Sequence, residues 1–217
     1  ALQLEGNFAA AEAVYLKSIE TFRGLGNVGK AHTVGELAAA NYIGEVLHWQ
    51  GRLEEALEAF EECARRSEER NLFWGSSLFH SNAANVAFDL GDFERLDSHI
   101  DRAVEIFEHG RGGRSGSMLY SFRALREARR GRYAEALQAL ERGEALCAPI
   151  RKRSWTAPHL MAKAYLAESA MHDPEARKAL GAFLTGTPQD YAAECIAQYR
   201  ELHVPHKARA LEERFFS

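Results

Sequence analysis

The sequence predicts an all-α protein made of tandem antiparallel helix-turn-helix repeats. Three observations lead to this fold class. A short glycine-containing motif recurs every 40 residues, and small residues recur upstream of it with the same period. The chain also holds only five prolines in 217 residues, which leaves room for long helices. Self-similarity at a fixed period is the signature of repeat architectures, in which each unit buries its apolar face against its neighbours.

The recurring motif is a hexad that begins with glycine and ends in a small or apolar residue. Its copies lie at 51–56, 91–96 and 131–136, each offset by 40 residues, and residues 171–176 keep the final alanine without the glycine. Residues 6–11 form the same hexad at an offset of 45. Glycine readily adopts the left-handed backbone conformation that ends a helix. Acidic residues just after the glycine suit the first turn of the next helix, where the helix dipole favours negative charge. The hexad therefore predicts a tight turn between two helices.

Small and large apolar residues keep the same period on either side of this turn. Four residues after each hexad comes a larger apolar residue: Tyr15, Phe60, Ile100, Leu140 and Leu180. Twelve residues before the end of the hexad comes a small residue: Gly44, Ala84, Ala124 and Ala164. Residues four apart share one helix face, so these positions predict where the two helices of a repeat cross closely.

The pattern resembles the tetratricopeptide repeat (TPR) family. In the clearest copy, the residues that match the family's small, glycine, apolar and aromatic positions are Gly44, Gly51, Leu53, Ala56, Phe60 and Cys63. The period of 40 residues exceeds the family's usual length of about 34 and is similar to the extended variant of bacterial regulators and kinesin light chains. The resemblance implies repeats stacked into a right-handed superhelical solenoid.

The periodicity predicts a single TPR-like helical repeat domain that spans residues 1–217. Its parts are a partial repeat at 1–30, repeats at about 31–70, 71–110, 111–150 and 151–186, and a C-terminal helix pair at 187–217. Residues 1–5 are too short for a first helix, and half a repeat cannot bury its own face. We therefore expect the chain to be a piece of a longer protein.

The sequence lacks the common motifs of catalytic and metal-binding sites. It contains no HExxH, GxSxG, CxxC or Walker-type loop. No enzymatic activity, catalytic residue, metal site or cofactor is predicted. The three cysteines Cys63, Cys147 and Cys195 have no paired spacing, which favours a reducing cytoplasm. No apolar run approaches the roughly 20 residues of a membrane helix, so no membrane partner is predicted.

The resemblance implies that partners bind a concave groove lined by the first helix of each repeat. The candidate groove residues are Asn41, Glu45, His48, Trp49, Ser81, Asn85, Phe88, Asp89, Ser121, Arg129 and Tyr165. Asparagine amides suit a peptide backbone because they both donate and accept, although Asn41 and Asn85 could instead bond neighbouring helices. Trp49, Phe88 and Tyr165 are either anchors for a partner or part of the core between repeats.

We favour a protein- or peptide-binding scaffold, as the sensory or regulatory interaction region of a larger bacterial protein. The alternative is a segment of a transcriptional regulator that contacts nucleic acid through its third repeat. Residues 36–69 carry nine acids and three bases, whereas residues 111–153 carry eleven bases and four acids. No aromatic residues are interleaved with the arginines of the third repeat, so we do not expect nucleic acid to bind this segment. No oligomeric state follows from the sequence.

Overall fold

A computed structural model describes residues 5–25, 30–111, 116–147 and 153–217. The chain divides into two compact units, Ala1–Gly113 and Arg114–Ser217. The described ranges form eleven α-helices and contain no strand. The boundary falls in the glycine-rich segment 110–116, where the 40-residue period places a connection between repeats.

The first unit is a row of antiparallel helices in which each helix packs against the next. Its helices are α1 (Phe8–Gly24), α2 (Lys30–Trp49), α3 (Leu53–Glu69), α4 (Phe73–Leu90) and α5 (Phe93–Ile106). A π-helical turn, Phe107–Arg111, follows α5, which was predicted to run to residue 109. Helices α2 and α4, the first helices of two consecutive repeats, also contact each other.

The second unit repeats this arrangement, with its long helix in contact with four others. Its helices are α6 (Gly116–Arg129), α7 (Tyr133–Cys147), α8 (Arg153–His172), α9 (Pro174–Leu180), α10 (Pro188–Glu201) and α11 (Pro205–Phe215). Helix α8 packs against α6, α7, α9 and α10. Helix α9 was predicted to reach residue 184. It ends earlier because the Leu180 carbonyl accepts hydrogen bonds from the Phe183 and Leu184 amides, both at 3.0 Å, in a closing turn.

In the hexads at 51–56, 91–96 and 131–136 the glycine follows the end of a helix, as predicted. The backbone φ angle is positive, between 70° and 79°, at Gly6, Gly51, Gly91 and Gly131. At the second of these turns the Gly51 amide donates to the His48 carbonyl at 3.0 Å. The following amide, of Arg52, donates to the Leu47 carbonyl at 2.9 Å. These two bonds form a Schellman motif, which satisfies carbonyls that the helix end would otherwise leave open.

The periodic residues form the core of each repeat, which confirms their predicted register. The last residue of every hexad is at most 2% exposed: Ala11, Ala56, Leu96, Ala136 and Ala176. The larger residue that follows is at most 1% exposed at Phe60, Ile100, Leu140 and Leu180. Burying a side chain of this size contributes roughly 1.5–3 kcal/mol. In α1 the corresponding residue, Tyr15, is only half-buried.

The crossing of α2 and α3 depends on the missing side chain of Gly44. A Cβ atom added there would lie 2.7 Å from a ring carbon of Phe60, closer than two carbon atoms approach without displacement. Because Phe60 is 1% exposed, its ring has little room to move. The two helices can therefore approach this closely only with glycine at position 44.

We expect Gly44→Ala to lower the free energy of unfolding by about 1–3 kcal/mol, because the added methyl overpacks the crossing. Chemical denaturation followed by circular dichroism measures this change. The matched control is Gly24→Ala, since a Cβ at this other helical glycine would meet nothing within 4 Å. We expect the control to be neutral or slightly stabilising. Equal stability of the two variants would contradict the close α2–α3 packing.

Candidate functional site

The predicted groove residues of α2 and α4 connect these two helices to each other. The Asn82 Nδ2 atom donates to Asn41 Oδ1 at 2.9 Å, and Asn41 Nδ2 donates to Glu45 Oε1 at 3.1 Å. Two turns beyond the Asn41–Asn82 contact, His48 Nε2 lies 2.6 Å from Asp89 Oδ2. Asn41 and His48 are each 4% exposed. The structure thus shows Asn41 bonded between neighbouring helices, and its role in peptide capture stays a prediction.

Other predicted groove residues of the first unit also lie within the packed structure. Ser81 is fully buried, and its hydroxyl donates to the Ser77 carbonyl at 2.7 Å within α4. Asn85 is 9% exposed. Trp49 is 8% exposed and makes an edge-to-face contact with Phe8 of α1, with 6.2 Å between the ring centroids. This contact places Trp49 between α1 and α2.

Of the eight groove candidates in α2 and α4, three keep partial access to solvent: Glu45, Phe88 and Asp89. Beside the first of them lies a residue that the sequence mapping missed. Tyr42 is 41% exposed, and its ring stacks on Tyr15 of α1 with 5.1 Å between centroids and 18° between planes.

Tyr15, Tyr42 and Glu45 together form what we call the tyrosine patch. Tyr42 and Glu45 are three residues apart in α2 and so lie on the same side of the helix. Burial, followed by the proximity of Tyr42 and Glu45, raises the pKa of the Tyr15 phenol. The patch therefore offers an accessible aromatic face beside a carboxylate.

In the second unit, Ser121 belongs to a polar network between α6, α7 and α8 that runs from the buried Ser121 to the exposed Glu144. Its hydroxyl donates to the Ser117 carbonyl at 2.7 Å and lies 3.2 Å from His159 Nδ1. Glu144 then contacts His159 Nε2 at 2.6 Å and Lys163 Nζ at 2.7 Å. Hydrogen bonds from His159 and Lys163 lower the pKa of Glu144 to about 2. The serine–histidine–glutamate order resembles a hydrolase triad, but Ser121 is fully buried and has no access to a substrate.

The two remaining groove candidates of the second unit have different surroundings. Tyr165 of α8 is half-buried, with the Arg214 guanidinium 4.4 Å from its ring centroid. The Phe215 ring meets Tyr165 edge-on at 5.4 Å, so Tyr165 fastens α11 to α8. Arg129 is exposed at the end of α6.

The basic third repeat uses part of its charge internally. Arg126 and Glu127 are 6% and 4% exposed, and Arg126 Nε donates to Glu127 Oε1 at 2.9 Å. Arg132 Nε donates to the other carboxylate oxygen of Glu127 at 2.5 Å. Arg126 is therefore removed from the surface on which the nucleic-acid alternative depends.

Another polar contact joins α1, α2 and α3 around Glu36, which is 5% exposed. Arg66 Nη2 donates to Glu36 Oε2 at 2.7 Å, and Arg23 Nε donates to Oε1 at 2.9 Å. The hydrogen bonds from Arg66 chiefly, and from Arg23, lower the pKa of Glu36 to about 2 although burial opposes this.

The comparisons with known proteins agree with this architecture. The chain is similar to the crystal structure of BtubC (BKLC) from P. vanneervenii, with 14% identity, a TM-score of 0.56, and coverage of 95% of this chain and 89% of that chain. At this identity the likeness concerns the fold alone, and it confirms the predicted all-α helical-repeat solenoid. No curated protein sequence matches the chain. Among the helices of the described ranges, none combines the length and apolar character needed to cross a bilayer.

The chain is therefore a helical-repeat protein. Residues 37–70, which span most of α2 and all of α3, match the family model of the tetratricopeptide repeat. This match confirms the resemblance to the TPR family that the hexads and their spacing indicated.

We expect Glu36→Gln to lower the free energy of unfolding at pH 7 by roughly 2 kcal/mol, because charge-assisted hydrogen bonds are lost. The pKa of Glu36 is about 2 in the folded chain against 4.5 as its ordinary value. Its ionised form therefore stabilises the fold above pH 4.5, and this contribution disappears as the pH falls toward 2. Urea unfolding at pH 7 and pH 3 should show a smaller difference between wild type and variant at pH 3.

The control for this comparison is Glu58→Gln, an exposed glutamate of α3. It should leave the free energy of unfolding within about 0.5 kcal/mol of wild type. A Glu36→Gln variant as stable as the control at pH 7 would contradict the structural role of Glu36.

Proposed function

We propose that the chain is a protein-binding scaffold whose tyrosine patch contacts a partner segment that carries lysine or arginine. The observation that supports this proposal is the exposed Tyr42 ring, stacked on Tyr15 at 5.1 Å beside the carboxylate of Glu45. The patch lies partly within the tetratricopeptide repeat at 37–70, and repeats of this family generally mediate protein interactions.

The chemistry of the patch suits a cationic side chain. The face of a tyrosine ring attracts a lysine or arginine cation by about 0.5–1 kcal/mol at an exposed site, and more when water is excluded. A carboxylate beside the ring adds a charge-assisted hydrogen bond. The Asn41 amide holds Glu45 at 3.1 Å, so the carboxylate is positioned before a partner arrives.

The charge of the segment that contains Tyr42 and Glu45 favours the same kind of partner. Residues 36–69 carry nine acids against three bases, a net charge of −6. An acidic surface raises the rate at which a basic segment associates and disfavours acidic competitors. We therefore place the partner segment among basic or mixed-charge protein chains.

A scaffold of this kind acts by bringing its binding partners together. Neither unit shows an accessible catalytic constellation among the residues described, and Ser121, the nearest approach to one, is buried. We propose that the chain serves as a regulatory interaction region whose output depends on partner occupancy.

Tyr42→Ala should raise the dissociation constant for the partner about tenfold, or about 1.4 kcal/mol, because an exposed aromatic contact is lost. The partner is first captured from a lysate of the native host, and its binding segment is then measured by calorimetry. Phe93→Ala is the matched control, because Phe93 is an aromatic of similar exposure, 39% against 41% for Tyr42, on the second-helix surface of α5. If wild type, Tyr42→Ala and Phe93→Ala bind the partner segment with equal affinity, the proposal is wrong.

The electrostatic part of the proposal is tested by the salt dependence of binding. Binding should weaken as salt rises, and Glu45→Gln should reduce that salt dependence because one charge contact is removed. A captured partner that binds through an acidic segment, or with affinity independent of salt, would be inconsistent with the patch as the site.

A further inference from the structure

Four side chains form a continuous polar chain across three helices of the first unit. Glu61 Oε1 of α3 lies 3.2 Å from His99 Nε2 of α5. His99 Nδ1 lies 3.0 Å from His80 Nδ1 of α4, and His80 Nε2 lies 2.9 Å from Glu68 Oε1 of α3. The side chains of His80 and His99, which we call the histidine pair, are only 12% and 11% exposed.

The contacts determine how many protons the histidine pair must hold. An ionised carboxylate only accepts hydrogen bonds, so each Nε2 atom must carry a proton toward its glutamate. Burial opposes ionisation of Glu68, but hydrogen bonds from Arg102 and His80 lower its pKa to about 2. Between the two Nδ1 atoms one ring must donate and the other accept, which requires a third proton. Two neutral imidazoles carry only two ring protons, so the complete set of contacts corresponds to a pair with one positive charge.

We propose that the histidine pair shares one extra proton between its Nδ1 atoms and excludes a second, so that the contacts among α3, α4 and α5 form a pH-sensitive latch. In this state every ring nitrogen has a hydrogen-bond partner, and the latch joins α4 and α5 to the same face of α3. A fourth proton would place two N–H groups against each other at 3.0 Å and break the central contact.

The surroundings oppose this fourth proton. Burial is the main cause that lowers the pKa of both His80 and His99, and it outweighs the neighbouring carboxylates that raise it. The hydrogen bond between the two Nδ1 atoms offsets burial for the first extra proton only, because a second would break that bond. The charge of His99 lowers the pKa of His80 further. A second cation would therefore lie in a site that is already desolvated and already positively charged.

The charged groups near the pair belong to α3 and α5. They are Glu61 and Glu68 on α3, and Arg95, Arg102, Glu105 and the N-cap residue Asp92 on α5. From α4, the Ser76 hydroxyl donates to Glu68 Oε1 at 3.2 Å. Arg102 Nε donates to the same oxygen at 2.9 Å, and Arg95 lies 3.9 Å from Glu61. Both carboxylates of α3 thus already have a cationic neighbour, with which a second charge on the pair would compete.

The proton count fixes the sign and size of the pH effect. Unfolded histidines have their ordinary pKa of 6.5, so each is half protonated at pH 6.5 and almost fully protonated at pH 5. The folded pair holds one extra proton throughout, and the unfolded state therefore gains about one proton more over this range. The stabilisation is largest near pH 6.5 and decreases below it, with the unfolding equilibrium constant approaching a tenfold rise per pH unit toward pH 5.

The experiment is urea unfolding of the full chain at several pH values between 6.5 and 5. Wild type is compared with the double variant His80→Gln/His99→Gln. Near pH 5 the difference between their pH slopes should correspond to one proton, or tenfold per unit, since the other histidines contribute equally to both. A difference of about hundredfold per unit would show that both rings stay neutral in the fold, and no difference would show that both become charged. Either result overturns the proposal.

The matched control is His172→Gln, which changes an exposed histidine at the end of α8. It should keep the wild-type slope in the same experiment, and a loss as large as that of the double variant would contradict the assignment to the pair.

A second measurement requires no variant to fold. In wild-type chain labelled with 15N at histidine, the shared proton should give a downfield ring N–H resonance at pH 6, and its absence overturns the proposal. Adding one equivalent of zinc chloride tests whether the histidine pair binds a metal ion in place of the shared proton. Proton sharing predicts no rise of the melting temperature, whereas a rise that disappears in the double variant would make the pair a metal site and overturn the latch.

Discussion

The structure depends on the close approach of helices at one small residue in every repeat. At Gly44 this approach leaves no room for even a methyl group, because Phe60 fills the space from the facing helix. Further along the chain Ala84, Ala124 and Ala164 occupy the same position and are at most 1% exposed. A helix pair packed this closely brings its polar side chains within hydrogen-bonding distance of the next repeat. The polar contacts described above are therefore consequences of the apolar crossing, since no polar contact could form if the helices stood further apart.

Those polar contacts give a structural role to several residues that the sequence predicted to bind a partner. Asn41, His48 and Ser121 lie on first helices, where family resemblance predicts contact with a partner, yet all three are buried and bonded to neighbours. A buried polar group without a partner costs free energy, so a tightly packed repeat must pair each of these side chains. The accessible chemistry of the first unit is instead found beside them, at Tyr42 and Glu45.

Much of the fold follows from the sequence because its determinants are local and periodic. The left-handed glycines and the buried position at the end of each hexad are both readable from spacing. The contacts between repeats were not predictable in the same way. Asn41 meets Asn82 at a separation of 41 residues, whereas Ser121 meets His159 at 38, so no single offset finds both. These pairings depend on the rotation of each helix about its axis. The 40-residue period does not determine this rotation.

The histidine pair was likewise not predictable from the sequence. His80 and His99 occupy the first helix of one repeat and its second helix, and their sequence neighbours give no sign that two ring nitrogens face each other. In a repeat array each element contacts mainly its nearest neighbours, so a local change spreads only through the contacts that join one repeat to the next. The tyrosine patch lies on α1 and α2, while the histidine pair joins α3, α4 and α5. Loosening of α4 would reach α2 directly through the Asn41–Asn82 and His48–Asp89 contacts, and Asn41 is also the residue that positions Glu45. These hydrogen bonds are the contacts that join α4 to α2 and α2 to the tyrosine patch, and they are made by predicted groove residues that have structural partners.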